Sequence, residues 1–191
     1  FALNVTLNRA RQITGVFAGD VFAAHRSGCE FARSVSLQTV DAPFDVVVTT
    51  NSGFPLDLNL YQAVKGMDTA ARVVRPGGAI VMAAECSQGV PPEGNFRELL
   101  RARPTPAKLL EMIQQPGFLV QDQWQVQILA RILLKARVYL YSSLPEDEVR
   151  RAHLEPVTDV GATACRLLEQ FGADAGLAVI PEGPQVIPCL P

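Results

Sequence analysis

The chain has 191 residues, 48% of them apolar and 19% charged, which is enough to bury a full core and too apolar for a disordered segment. Its formal charge of -2 comes without any basic block that could neutralise a run of phosphates, so nucleic acid is excluded as an expected partner. No apolar stretch reaches the roughly 20 residues that a bilayer demands, and the first residues lack a basic-then-apolar leader; no membrane partner is expected, and a cytoplasmic location is.

Phe1, Leu3, Val5 and Leu7 alternate with Ala2, Asn4, Thr6 and Asn8, a period of two that predicts a strand with one buried face. A polar turn at Asn8 to Gln12 leads to a second strand at Ile13 to Phe17, so the opening reads as a hairpin. The chain starts inside this pattern and without Met, as a piece of something longer would. Asp20 is placed to cap a helix running to about Ser34, because its carboxylate can accept the free amides of the first turn. That helix carries His25.

The β-branched run Asp45 to Thr50 suits a strand covered on both faces. Asn51 to Asp57 breaks it, with Gly53 and Pro55 shaping the loop, and a helix is predicted from about Asn59 to Val74. The breakers Arg75-Pro76-Gly77-Gly78 end that helix, and Ala79 to Ala84 reads as the next strand. Such a unit implies a parallel crossover. Asn95 to Ala136 is helical in pattern, interrupted at Pro104, Pro106 and Pro116-Gly117. A strand at Val138 to Tyr141, helices at Glu146 to His153 and Val160 to Phe171, and a strand at Leu177 to Ile180 follow. The predicted fold class is therefore a three-layer α/β/α domain with a mostly parallel central sheet and an N-terminal hairpin. Residues 1–191 read as one domain, with no boundary ahead of the Pro-rich tail at Pro181 to Pro191.

Candidate chemistry is sparse. Cys29, Cys86, Cys165 and Cys189 form no C-x-x-C pair, which argues for buried or inert thiols and against a zinc knuckle or dithiol centre. The two histidines, His25 and His153, lie far apart in sequence, so the chain is expected to build no metal site of its own. In parallel sheets ligands collect outside the carboxyl ends of the strands, which directs attention to the loop after Thr50 and the helix beyond it. On that helix Leu60, Val64, Met67 and Ala71 form the stripe that must face the sheet. At about 100° per residue, Tyr61, Gln62 and Lys65 share another face, where a phenol, an amide and an ammonium could converge on one small acid, helped by the positive first turn. On residue types alone the more ordinary reading of the same face is a solvated one. Asp57 reads as a helix cap, His153 as a surface residue at a helix end, and Trp124, near Ile128 and Leu129, as a core residue or a pocket residue.

The run from Asn51 to Met67, N-S-G-F-P-L-D-L-N-L-Y-Q-A-V-K-G-M, is similar to a segment of the lactate racemase family that reads G-[HFY]-P-x-D-x-N-x-Y-Q-A-x-K. Gly15 to Gly28 and Asp122 to Gln127 extend the resemblance over most of the chain. It implies that the chain is the carboxy-terminal, substrate-binding domain of an isomerase, a racemase or epimerase of 2-hydroxy acids. Gln62 and Lys65 take active-site roles, with Lys65 holding the substrate carboxylate and Tyr61 and Trp124 completing the substrate-binding set. It also implies a second, amino-terminal domain as partner. That domain would hold a nickel-pincer nucleotide, which accepts hydride from C2 of the acid, and the acid-base histidines, so that no cofactor or metal is expected on this chain and the chain alone is expected to be inactive. His25 would then be a structural or interdomain residue. Two alternatives stand beside this reading. Phe44 to Val48 and Ala71 to Val81 resemble the later strands of a methyl-donor-dependent methyltransferase, although the first β-α junction, Gly15 to Asp20, lacks the G-x-G spacing. The other is a non-catalytic interaction module.

Overall fold

The computed structural model describes residues 1–8 and 10–191, which divide into two compact units, Phe1–Thr39 and Val40–Pro191. Of the expected turn at Asn8 to Gln12, Arg9 lies outside the described residues.

In the first unit, β1 (Ala2–Leu7) pairs antiparallel with β2 (Ile13–Gly19), as the hairpin reading expects. α1 (Val21–Ser36) is capped by Asp20, whose Oδ1 accepts from the amides of Phe22 and Ala23 at 3.1 and 3.0 Å. A short extended piece, β3 (Leu37–Thr39), ends the unit. α1 packs on the hairpin face that carries Phe17, whose ring lies 5.7 Å from that of Phe31. Residues paired across the hairpin point to one side, so Ala2, Asn4 and Thr6 share the Phe17 face with Gly19 and Gly15, while Leu3, Val5 and Leu7 share the opposite face with Ala18, Val16 and Ile13. The expectation of a buried apolar face in β1 is therefore corrected: the helix covers the polar set, and the apolar set is exposed.

The second unit is the three-layer α/β/α domain. Its five strands lie in the order β7 (Glu155–Pro156), β6 (Arg137–Tyr141), β5 (Val74–Ala83), β4 (Phe44–Thr50), β8 (Leu177–Ile180), and every neighbouring pair is parallel. α2 (Leu60–Val73) connects β4 to β5. α3 (Phe96–Arg101), α4 (Pro106–Ile113) and α5 (Gln123–Lys135) connect β5 to β6, and α6 (Glu146–Arg151) and α7 (Val160–Phe171) connect the rest. A 3₁₀ turn at Gly183–Gln185 and β9 (Ile187–Cys189) close the chain. Val47, Ile80, Met82, Val138 and Leu140 project into the layer that holds α2 and α5, and Val46, Val81 and Tyr139 pack toward Leu167 of α7. Alternate residues of β4 thus enter two cores, which is why Val46, Val47 and Val48 are apolar without a break.

β5 begins earlier than Ala79. Its pairing with β4 passes from Phe44 opposite Val74 directly to Val46 opposite Ala79, so Arg75 to Gly78 bulge out of the ladder instead of forming a separate connection. Asp45 fastens the bulge: Arg75 Nε donates to its Oδ1 at 2.5 Å and the Gly176 amide to its Oδ2 at 2.8 Å. These bonds hold the Asp45 carboxyl below its ordinary range, the Gly176 amide contributing most and Arg75 next. Among the described residues, no helix is long and apolar enough to cross a membrane.

Candidate functional site

The site begins where β4 ends. Asn51 is fully buried, and its side chain joins three pieces of chain: Oδ1 accepts from the Gly66 amide at 3.0 Å, and Nδ2 donates to the Leu56 carbonyl. Gly66 is required at that crossing, because a Cβ there would stand 2.4 Å from the Thr50 carbonyl oxygen. The loop itself turns through left-handed Ser52 and Gly53, at φ of 66° and 72°, and the Gly53 carbonyl accepts from the amides of Leu56 and Asp57 at 2.8 and 3.2 Å. The Ser52 hydroxyl is buried with no hydrogen-bond partner among the described residues.

The helix cap falls two residues later than the sequence reading placed it. Asn59 caps α2, its Oδ1 accepting from the Gln62 amide at 3.1 Å. Asp57 turns away and accepts from the Glu85 amide at 3.0 Å, while its own carbonyl accepts from Cys86 at 2.9 Å. The loops after β4 and β5 are further joined by Gln88 N to Leu58 O at 2.7 Å and Leu60 N to Gly89 O at 3.1 Å. Two first-turn amides of α2, those of Leu60 and Gln62, are therefore already occupied, so this helix end offers an anion less than its position suggests. Between these loops the Cys86 thiol is pushed up to about 12, by burial first and then by the charges of Asp57 and Glu85, and is inert.

α2 divides as its periodicity predicts. Leu60, Val64 and Met67 are fully buried, and Ala71 packs half-buried against the same core. On the other face Lys65 Nζ donates to Gln62 Oε1 at 2.6 Å, Lys65 being exposed and Gln62 half-buried. Tyr61 is held from three sides. Its ring meets Phe96 edge-on at 5.1 Å, its carbonyl accepts from Gln125 Nε2 at 2.6 Å, and its hydroxyl accepts from Trp124 Nε1 at 3.0 Å. Trp124 is 50% exposed, so it is a rim residue joined to Tyr61 and not a core residue. The structure thus brings the four expected site residues into two bonded pairs, Gln62 with Lys65 and Tyr61 with Trp124, whose members Tyr61 and Gln62 are adjacent on one helix. Asn51, Gln125 and Phe96 were missed as the residues that fix this face; only Asn51 and Gln125 stood within the quoted motifs, and nothing in their spacing marks the long-range bonds.

The remaining candidates lie elsewhere. On α1, His25 Nε2 sits 3.5 Å from Cys29 Sγ, one turn away. His153 is not a plain surface residue: it is half-buried at φ 62°, and its Nε2 donates to the Leu100 carbonyl at 2.9 Å, tying the end of α6 to α3. Of the four cysteines, Cys86 is buried, Cys165 exposed, and Cys29 and Cys189 half-buried. Among the described residues, no three His, Cys, Asp or Glu side chains are grouped so as to hold a metal ion.

Fold and site together define a parallel α/β/α domain with a polar helix face that follows the carboxyl end of strand β4. The chain belongs to the lactate racemase C-terminal domain family, whose model matches residues 39–188. It is 38% identical over 192 residues to a lactate racemase of Thermoanaerobacterium thermosaccharolyticum, and 36% identical over 190 residues to a lactate racemase of Lactiplantibacillus plantarum. Each match takes in 98% of this chain and 44% of the relative, so the chain spans less than half the length of these relatives. The lactate racemase apoprotein structure from T. thermosaccharolyticum superposes with a TM-score of 0.89 at 34% identity, covering 97% of this chain and 45% of that one. A Thermotoga maritima protein, at a TM-score of 0.67 and 15% identity over 99% of this chain and 48% of its own, shares the fold alone. The stretches that resembled a methyltransferase are β4 and the α2–β5 connection, parts that any parallel α/β domain contains.

Proposed function

We propose that this chain is the substrate-holding part of an isomerase that racemises or epimerises a 2-hydroxy acid, working with an amino-terminal domain of the same polypeptide. The observation that carries the reading is the 2.6 Å contact of Lys65 with Gln62, set beside the Tyr61–Trp124 pair on the face of α2. Membership of the lactate racemase C-terminal domain family supports it.

Lys65 has three ammonium protons, and Gln62 Oε1 takes one. An incoming carboxylate forms a charge-assisted bond about twice as strong as the neutral one, so it becomes the principal partner of Lys65. The carboxamide of Gln62 then has its N–H groups for the acid's hydroxyl or second carboxylate oxygen. Because the Tyr61 oxygen already accepts the indole N–H, its own hydrogen is available to an acceptor on the substrate. Trp124 acts as a positioning residue through Tyr61, and Asn51 and Gln125 hold the helix face still.

In this reading a nickel-pincer nucleotide belongs to the amino-terminal domain. The residues of this site do not fit it as metal ligands: an ammonium, a carboxamide, a phenol and an indole N–H are not the imidazole, thiolate or carboxylate donors that nickel prefers. Their part is confined to the acid, which they bind and orient.

Calorimetric titration of the full-length polypeptide with D- and L-lactate and larger 2-hydroxy acids tests this. Lys65→Ala should weaken acid binding about tenfold or more, the equivalent of about 1.5–3 kcal/mol for one charge-assisted contact, and leave the melting temperature unchanged because the side chain is exposed. Equal affinity in the two proteins would remove the carboxylate role and the reading with it.

A further inference from the structure

The hairpin unit is unusual in what it leaves bare. Leu3, Val5, Leu7, Ile13 and Val16 share one face of β1–β2 and are each between 49% and 65% exposed, and Ala18 beside them is exposed too. Among the described residues the face holds no charged side chain, whereas α1 covers the opposite side. Among the described residues of Phe1–Thr39, Ala24 alone is fully buried. A two-stranded hairpin under a single helix, with its larger apolar side chains in water, lacks the core that makes such a motif stable by itself.

Two boundaries coincide here. The second compact unit begins at Val40, and the C-terminal family model begins at residue 39. The lactate racemase relatives nevertheless match 98% of the chain, so they carry counterparts of the hairpin and α1 outside that family's span. More than half of each relative's length lies outside the matched stretch altogether, since the match takes in 44% of it.

We propose that Phe1–Thr39 is the closing piece of the neighbouring, amino-terminal domain, and that the Leu3/Val5/Leu7/Ile13/Val16 face is the surface on which the rest of that domain packs. The occupant is the amino-terminal region of the same polypeptide, presenting an uncharged apolar layer complementary to this face. This rests on the proposed function in one respect, that the full-length polypeptide has such a region. The carboxy-terminal domain then consists of Val40–Pro191 alone.

Hydrogen exchange measured on the full-length polypeptide and on the 191-residue chain decides the matter. Amides of β1 and β2 should exchange at least about tenfold more slowly in the full-length polypeptide, while those of β4 and β5 differ by less than about twofold. Equal rates in β1 and β2 would overturn the proposal, as would a gene that encodes no region ahead of Phe1. Val5→Asp should lower the melting temperature of the full-length polypeptide and leave that of the 191-residue chain unaltered; the same shift in both would count against it. Protection of β1 and β2 in the 191-residue chain that rises with concentration to the full-length level, and disappears in Val5→Asp, would assign the face to a second copy and overturn the proposal. Lys65→Ala separates this from the acid-binding reading, because it should abolish tight acid binding with β1 and β2 still protected. Unprotected strands with intact Lys65-dependent binding would sink only the interface.

Discussion

β1 and β4 are both strands rich in apolar side chains, but Val46 and Val47 of β4 are fully buried whereas Leu3 and Val5 of β1 stand in the open. The difference is one of cover. β4 lies between β5 and β8, with α2 on one face and α7 on the other, so each residue of its run has a layer to enter. β1 has one strand beside it and one helix, and that helix sits on the side of Thr6 and Phe17. Periodicity assigns side chains to a face; it does not supply what covers the face.

Four substitutions in the 191-residue chain, read by denaturant unfolding, would sharpen or break this contrast. Ile80→Ala in β5 should cost most, about 2–5 kcal/mol, because the side chain is fully buried between packed helices and leaves a cavity. A loss under 1 kcal/mol would mean the central layer is loosely packed. Gly66→Ala comes next. Alanine gains up to about 1 kcal/mol over glycine in a helix, but its Cβ would meet the Thr50 carbonyl at 2.4 Å, and such overpacking costs about 1–3 kcal/mol. Net destabilisation is expected, with weaker acid binding as α2 shifts.

Asp45→Ala should cost about 1.5 kcal/mol at neutral pH, the low end for charge-assisted hydrogen bonds. The folded carboxyl is held below its ordinary value, so its stabilisation is complete above the usual carboxylate range and is lost as pH falls through the lowered value. The gap between wild type and variant should accordingly narrow below about pH 4; a gap that widens there would contradict the assignment. Val5→Ala should have the smallest effect, within about 0.5 kcal/mol, because the side chain already faces solvent. A core-sized loss would show that the face is covered in this chain.

Much of the second unit was legible in the sequence. Val160–Phe171 and Leu177–Ile180 form the helix and strand expected at those bounds, and α2 buries the stripe that its spacing assigned to the sheet. The helical stretch from Asn95 divides where Pro104, Pro106 and Pro116-Gly117 interrupt it. What was misread involves side chains with two local options. Asp57 and Asn59 could each cap α2, and the choice went to Asn59 because the loop after β5 presents the Glu85 amide to Asp57. Trp124 could pack inward or stand at the rim, and the Tyr61 hydroxyl beside it decided in favour of the rim. The Arg75–Gly78 segment looked like a break, yet it remains with β5 as a bulge because Asp45 reaches across to Arg75.

By itself the sequence determined the parallel α/β/α layering, the two faces of α2 and the kinship that its Y-Q-A-V-K run announces, since these depend on periodicity, breakers and residue type within short spans. Only the tertiary structure decided that Tyr61 meets Trp124 and that buried Asn51 fixes the loop against Gly66. Rotamers and bonds between segments up to 63 positions apart are chosen by which neighbours the fold brings within about 3 Å, and no local pattern encodes that choice.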